Sequence, residues 1–158
     1  MKQLIIIFEF QQSNIYKIDS LGNRFSAKLE IEGWVEPDLF PWDSINSNSF
    51  LEKYFAEQPE IERIFYNENT SHTYILFKHP QKHNNNDGTL NLFMDAAWSI
   101  IVVNDSLEQL MQFNFPPRKY YFGNLHPFRD GILVCRSYNY NEQTKGMKFV
   151  FEHIKFNL

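Results

Sequence analysis

The chain lacks the common sequence motifs from which an enzymatic activity can be inferred. Its only cysteine, Cys135, lies in an apolar run, so an internal disulfide is excluded and a buried, inert thiol is expected. The six glycines form no phosphate-binding cluster. No Gly-x-Ser-x-Gly, Cys-x-x-Cys or His-Glu-x-x-His motif occurs. We therefore expect a protein that is not an enzyme and that holds neither a cofactor nor a metal.

Positive charge and long apolar runs are also scarce. The 15 Lys and Arg residues are outnumbered by 19 Asp and Glu, which gives a net charge of −4. Nucleic-acid binding requires clustered positive charge, so no nucleic-acid partner is expected. No run approaches the roughly 18 apolar residues of a membrane span. The apolar run at residues 4–8 is shorter than the roughly 7–15 residues of a signal peptide, so it is interpreted as a strand.

The charges that are present are unevenly distributed. Residues 1–116 carry 8 basic and 16 acidic side chains, whereas residues 117–158 carry 7 and 3. Such a distribution is typical of a domain whose two faces differ in charge. Complementary surfaces, which serve self-association or an oppositely charged partner, are the alternative interpretation.

Aromatic residues are abundant, and they favour strands. The chain contains 16 Phe, 8 Tyr and 3 Trp, which make up 17% of the residues. Alternating apolar residues between polar turns predict about ten strands, at residues 3–10, 14–18, 25–31, 61–66, 74–78, 98–103, 111–115, 120–125, 132–138 and 147–156. One helix is predicted at residues 50–58, with Ser49 and Glu52 as its capping box and Pro59 after its end. The predicted fold class is all-β.

A weak internal repeat indicates how the strands are grouped. Residues 15–21 and 101–107 share four positions at an offset of 86, which is twice 43. A four-stranded propeller blade contains about 40–50 residues. The spacing therefore predicts a partial β-propeller of antiparallel four-stranded blades, about half a ring, as a single domain over residues 1–158. An antiparallel sandwich or barrel also has regularly spaced hairpins and stays open as an alternative.

Motifs at both ends of the chain support the same fold. The first is Phe8-Glu9-Phe10 followed by residues 14–22; the others are residues 98–102, 115–122, 130–134 and 139–141. In order and spacing they resemble the C-terminal part of the uncharacterised six-bladed, TolB-like β-propeller proteins. Tyr74-Ile75-Leu76 departs from that pattern, because an aromatic pair followed by Arg is expected there. The resemblance implies an exported or lipoprotein parent. Because 158 residues are too few for a six-bladed ring, we expect the C-terminal portion of a longer propeller, one of two copies that complete a ring, or a meander arranged differently.

Two tryptophans are the best candidates for binding. Trp34 and Trp42 lie in the proline-containing connection at residues 33–48, and amphipathic rings in a loop can stack on a ligand. Trp98 precedes an apolar run and is expected in the core. We therefore predict a non-catalytic scaffold or binding module that uses loops on one face to bind a protein partner or a carbohydrate. Self-association through an open blade edge is a further expectation.

Two other functions stay open. A propeller-type hydrolase would place His126 or His153 beside a carboxylate in one pocket. A small β-sandwich that inhibits or neutralises a partner, as an immunity-type protein does, is the other. His79, His83 and Asp87 are spaced by four, but residues 80–88 are predicted as a mobile polar loop, so this spacing predicts no metal site.

Overall fold

The structure is a computed structural model that describes residues 5–9, 13–91, 95–136, 140–141, 146–147 and 149–156. Strands make up 48% and helices 11%, which confirms the all-β prediction. In chain order the strands are β1 (Ile5–Glu9), β2 (Asn14–Ile18), β3 (Arg24–Lys28), β4 (Glu60–Asn67), β5 (His72–Lys78), β6 (Trp98–Val103), β7 (Gln109–Phe115), β8 (Tyr120–Phe128), β9 (Gly131–Arg136), β10 (Tyr140–Asn141), β11 (Gly146–Met147) and β12 (Phe151–Lys155). A short 3-10 turn at Trp42–Ser44 precedes the helix α1 (Asn48–Glu57).

The strands form three main antiparallel sheets. The first sheet has the order β1-β2-β3, and the middle sheet has the order β4-β5-β6-β7. The last sheet has the order β12-β9-β8, while β10 and β11 pair only with each other. The first and middle sheets are meanders, in which each strand pairs with the next one along the chain.

The middle sheet is buried on both faces, because its two inner strands carry the apolar runs 74–77 and 100–103. The run at Trp98–Val103 is buried at every position, as the sequence predicts. One face packs against the last sheet through Tyr74, Leu76, Trp98, Ile100, Val102, Phe115, Tyr120, Leu125, Ile132, Val134 and Phe156. The other face packs against the first sheet through Ile15, Leu29, Ile31, Ile75, Phe77, Ile101, Val103 and Leu107. The three sheets are therefore stacked in a row around two apolar clusters.

The grouping of strands matches the predicted blades in part. The middle sheet has four strands, whereas the first and last sheets have three each among the described residues. The sheets begin at Ile5, Glu60 and Tyr120, farther apart than the predicted forty-odd residues. Long connections at residues 29–59 and 79–97 account for the difference. Within the described chain the sheets do not close on one another, so the propeller stays a prediction.

Two glutamine side chains attach the first sheet to the middle one. The Gln109 amide accepts from the backbone N–H of Glu30 at 3.0 Å and donates to the Glu30 carbonyl at 2.9 Å. Gln112 does the same for Glu32, at 2.9 and 3.2 Å. These pairs satisfy backbone groups that a neighbouring strand would otherwise satisfy. They hold the start of the connection that leads to α1.

The helix and some strand ends differ from their predicted positions. The cap of α1 is Ser47 rather than Ser49, because the Ser47 backbone is extended and its Oγ accepts from the Phe50 N–H. The predicted strand ends at Gln3, Phe10 and Tyr138 lie outside the described residues. Within the described chain, α1 and the 3-10 turn are both too short to cross a membrane.

Candidate functional site

The connection after β3 first turns Trp34 inward. Gly33 has a φ of +77°, and a Cβ at this position would meet the ring of His79. The Trp34 N–H closes the turn by donating to the Ile31 carbonyl at 3.0 Å. The Trp34 ring then lies 6.1 Å from the ring of Phe8 and 5.6 Å from that of Phe77. Trp34 is therefore half-buried between the first and middle sheets.

The same connection then crosses α1 and is held there by hydrogen bonds. The backbone N–H of Asp38 donates to Oε1 of Gln58 at 2.8 Å, and Nε2 of Gln58 donates to the Asp38 carboxylate at 3.2 Å. The Tyr54 hydroxyl donates to the Asp38 carbonyl at 2.7 Å. Burial, with a smaller contribution from the Asp38 charge, raises the pKa of Tyr54. These bonds place the residues after Asp38 against the helix.

Aromatic rings cluster where the connection meets α1. The ring of Phe40 lies 5.1 Å from those of Trp42 and Tyr54, both edge-on, and 6.5 Å from that of Phe55 in a stacked geometry. Such ring pairs stabilise a cluster beyond the area that they bury. Trp42 nevertheless keeps 74% of its surface exposed. Trp42 and Trp34 therefore occupy different environments, and only Trp42 offers its ring to a ligand.

These rings line an open cavity of about 620 Å³, here called the aromatic groove. It is lined by Phe40, Trp42, Ile45, Leu51, Tyr54, Phe55, Gln58, Pro59, Glu60 and Ile61. Two of its polar groups, the Gln58 amide and the Tyr54 hydroxyl, are already bonded to Asp38. The groove therefore offers a ligand mostly apolar surface, within the size range of small-molecule pockets.

A second cavity of about 340 Å³, here called the helix-end cavity, also borders Phe55 and Glu60. Lys78, only 3% exposed, donates from Nζ to the carbonyls of Phe55 and Gln58, both at 3.0 Å. A cation at this position complements the unsatisfied carbonyls at the helix C-terminus. Its burial lowers the pKa of Lys78, and the Glu60 carboxylate at 3.9 Å partly offsets this effect. Lys78 thus holds the end of α1 against the middle sheet.

Residues 80–91, several of which line the helix-end cavity, contain a bridge and backbone hydrogen bonds where a polar loop is predicted at residues 80–88. Asn84 and Leu90 form an isolated antiparallel bridge, and the Gln81 N–H donates to the Ala56 carbonyl at 3.0 Å. The sequence patterns do not predict this cavity. Its only local signal is the lone apolar residue Leu90 within a polar run.

A histidine and a serine meet on the face of the middle sheet that packs against the first sheet. His79 Nε2 lies 2.6 Å from Ser99 Oγ, and Ser99 Oγ lies 2.6 Å from Asn114 Oδ1. The Ser99 hydroxyl proton is donated to Asn114, so the His79 Nε2–H donates to Ser99. Asn114 Nδ2 donates in turn to the Glu32 carboxylate at 2.8 Å. Because Ser99 has no exposed surface, this chain of bonds joins strands and presents no hydroxyl to a substrate.

We expect His79 to make the protein less stable in mild acid. Burial lowers the pKa of His79 below 6.5, the value expected in the unfolded chain. Above pH 6.5 the ring is neutral in both states; below it the unfolded state binds the proton first, so the free energy of unfolding falls. Urea titrations between about pH 7.5 and 5.5, which span the ordinary pKa of histidine, should show this decrease.

The matched variant for that titration is His79→Gln, whose amide can still donate to Ser99 but does not titrate. Its free energy of unfolding should vary less between the two pH values. An equal pH dependence in both proteins would assign the effect to another group.

The residues of the hydrolase alternative do not meet in either cavity. His126 is exposed, and His153 Nε2 lies 3.3 Å from Asp130 Oδ1 in a pair that borders neither cavity. Across the described ranges, no three His, Cys, Asp or Glu side chains are grouped so that they could hold a metal ion. Cys135 is a buried free thiol, and burial raises its pKa.

Comparison with known proteins identifies a solved structure with a similar fold. No protein-family profile matches the chain, and no curated protein matches it in sequence. The structure is similar to the crystal structure of a member of the DUF4221 family from Bacteroides vulgatus, with a TM-score of 0.67 and 16% identity. The match covers 96% of this chain and 43% of that one, so this chain spans less than half of that protein's length. At this identity the likeness concerns the fold alone.

Proposed function

We propose that the chain is a non-catalytic binding module, built on part of a β-propeller, that binds a protein partner in the aromatic groove. Three consecutive antiparallel sheets stacked face to face are what neighbouring propeller blades look like, which supports the scaffold. The match to part of a longer chain is consistent with an incomplete ring. The TolB-like likeness of the sequence supports the same scaffold.

The exposed ring of Trp42 carries this proposal. Apolar surface costs free energy in water, and clustered exposed aromatic residues are a mark of interaction sites. Trp42 is 74% exposed although Phe40 packs on it, and Phe55 and Ile45 expose about half of their surfaces beside it. Trp and Tyr are also the residues that most often dominate binding energy at protein interfaces.

The chemistry of the groove favours protein side chains over a carbohydrate. A sugar needs several hydrogen-bonding groups around the ring on which it stacks, because its hydroxyls lose water on binding. The Gln58 amide and the Tyr54 hydroxyl are already bonded to Asp38, and among the lining residues of the groove only Glu60 is charged. An apolar side chain needs no such partners.

The test is a selection of displayed random peptides on the wild-type protein. We expect peptides with aromatic or aliphatic anchors to be enriched and to lose at least about tenfold in affinity for Trp42→Ala, because this truncation removes a central ring. Isothermal titration of the selected peptides measures the loss. A carbohydrate array probed with the wild type should give no binding that depends on Trp42.

The matched control is Leu39→Ala. Leu39 is as exposed as Trp42 and lies close to it in sequence, but it does not line the groove. Peptide affinity should be unchanged in this variant. Peptides that bind Trp42→Ala as tightly as the wild type, or sugars that bind through Trp42, would contradict the proposed function.

A further inference from the structure

The last sheet carries a second exposed apolar surface, here called the apolar edge, formed by Phe149, Val150 and Phe151. Val150 and Phe151 each expose 44% of their surface, at the start of β12. In the order β12-β9-β8, β12 is an outer strand of the sheet. Consecutive exposed apolar residues beside an outer strand are a typical site of association.

The two stretches of sequence that contain the aromatic groove and the apolar edge have opposite net charge. Residues 29–62, which contain most of the groove, include nine acidic side chains and one basic side chain, Lys53. Residues 117–158, which contain the apolar edge, include seven basic and three acidic side chains. Near the edge, the half-exposed Arg136 side chain lies 3.8 Å from the Glu152 carboxylate, and the exposed Lys119 lies within reach of both charges, so two cations there face one carboxylate. Complementary charge of this kind steers two surfaces together and selects their register.

We infer that the groove's partner is a second copy of this chain, which inserts its apolar edge into the aromatic groove. The inference rests on the proposed function, since it names the occupant of the same groove. A groove of about 620 Å³ has room for the ring of Phe151 and the side chain of Val150. Asp43 and Glu60, next to the groove, then face the basic surroundings of the edge.

The contact is head to tail, because the groove and the edge are different surfaces of one chain. Each bound copy still presents one unused groove and one unused edge. Such a heterologous contact repeats, and it forms a closed ring only if the rotation between copies allows it.

The test is sedimentation velocity of the full chain from about 1 to about 300 μM, a range in which contacts of modest area associate. We expect the wild type to form dimers and larger species as its concentration rises, and to dissociate as NaCl is increased. Trp42→Ala and Phe151→Ser should each weaken the association at least about tenfold. Val150→Ser, outside β12, repeats the test where Phe151→Ser lowers stability. Leu21→Ser removes an exposed apolar side chain in the β2–β3 turn and should associate like the wild type.

A mixture of the two defective variants tests the pairing itself. Trp42→Ala keeps an intact edge and Phe151→Ser keeps an intact groove. An equimolar mixture should therefore form dimers that stop at two copies, although neither variant associates alone. A wild type that stays monomeric throughout, or a mixture that forms no dimers, would overturn the inference.

The two proposals fail separately. If the wild type is monomeric but binds selected peptides through Trp42, the proposed function stands and the second copy is not the partner. If association survives Trp42→Ala and no peptide depends on Trp42, both proposals are wrong.

Discussion

Trp34→Ala should lower the free energy of unfolding by about 3 kcal/mol, near the low end of the range for large aromatic side chains in a core. The Trp34 ring packs against Phe8 of the first sheet and Phe77 of the middle sheet, so its removal leaves a cavity between the two. The neighbours cannot fill this cavity without moving a sheet. Urea unfolding followed by far-ultraviolet circular dichroism measures the loss.

Trp42→Ala is the matched control, since it removes the same side chain from the same connection. Its ring is mostly exposed and contacts Phe40 at one edge, so the free energy of unfolding should fall by no more than about 1 kcal/mol. Trp34→Ala should in turn leave peptide affinity unchanged wherever the variant is folded. Equal destabilisation by the two substitutions would contradict the different environments described for these residues.

Gly131→Ala should lower the free energy of unfolding by more than about 3 kcal/mol, because there is no space for an added Cβ. It would collide with the backbone carbonyl of Ile154 and meet the Cα of Lys155 at 3.0 Å. Backbone atoms cannot give way as a side chain can, so β12 would have to separate from β9. We expect a lower urea midpoint and faster amide exchange along β12.

Gly22→Ala is the control for this substitution. Gly22 has a φ of +84° with nothing within 4 Å of an added Cβ, so only backbone strain of about 1 kcal/mol is expected. If Gly131→Ala lowers the free energy of unfolding no more than Gly22→Ala does, then β12 does not pack directly on Gly131.

Gly131 also shows what local sequence patterns can and cannot predict. The sequence Arg129-Asp130-Gly131 predicts a turn, and residues 129 and 130 form one. The left-handed residue is Arg129, with a φ of +48°, whereas Gly131 lies in β9 where another strand comes close. A turn depends on neighbouring residues and can be predicted. The close approach depends on β12, some twenty residues away, and leaves no local signal.

The strands were largely predictable for the same reason. Alternation and apolar runs are local, so β2 and β6 have their predicted bounds, and α1 begins two residues and ends one residue before its predicted bounds. The spacing of the sheets could not be predicted from the weak repeat, because long connections before β4 and β6 lengthen the interval between one sheet and the next. Those connections contain both the groove and the helix-end cavity.

The candidate site was half predictable. Two tryptophans in a proline-containing loop indicate a binding surface, but the loop sequence does not show which of the two rings turns inward. Gly33 decides it, because its positive φ and its contact with His79 direct Trp34 onto Phe77. The bonds between Asp38 and α1 hold the connection where Phe40 contacts both Trp42 and Tyr54. Those bonds join residues 16 to 20 positions apart and follow from no motif.

The most direct test of the aromatic groove as a binding surface is amide hydrogen exchange of the wild type with and without a selected peptide. We expect added protection in residues 38–61, which contain the groove, and no change along β1 and β2. Protection confined to the first sheet, with residues 38–61 unchanged, would contradict it.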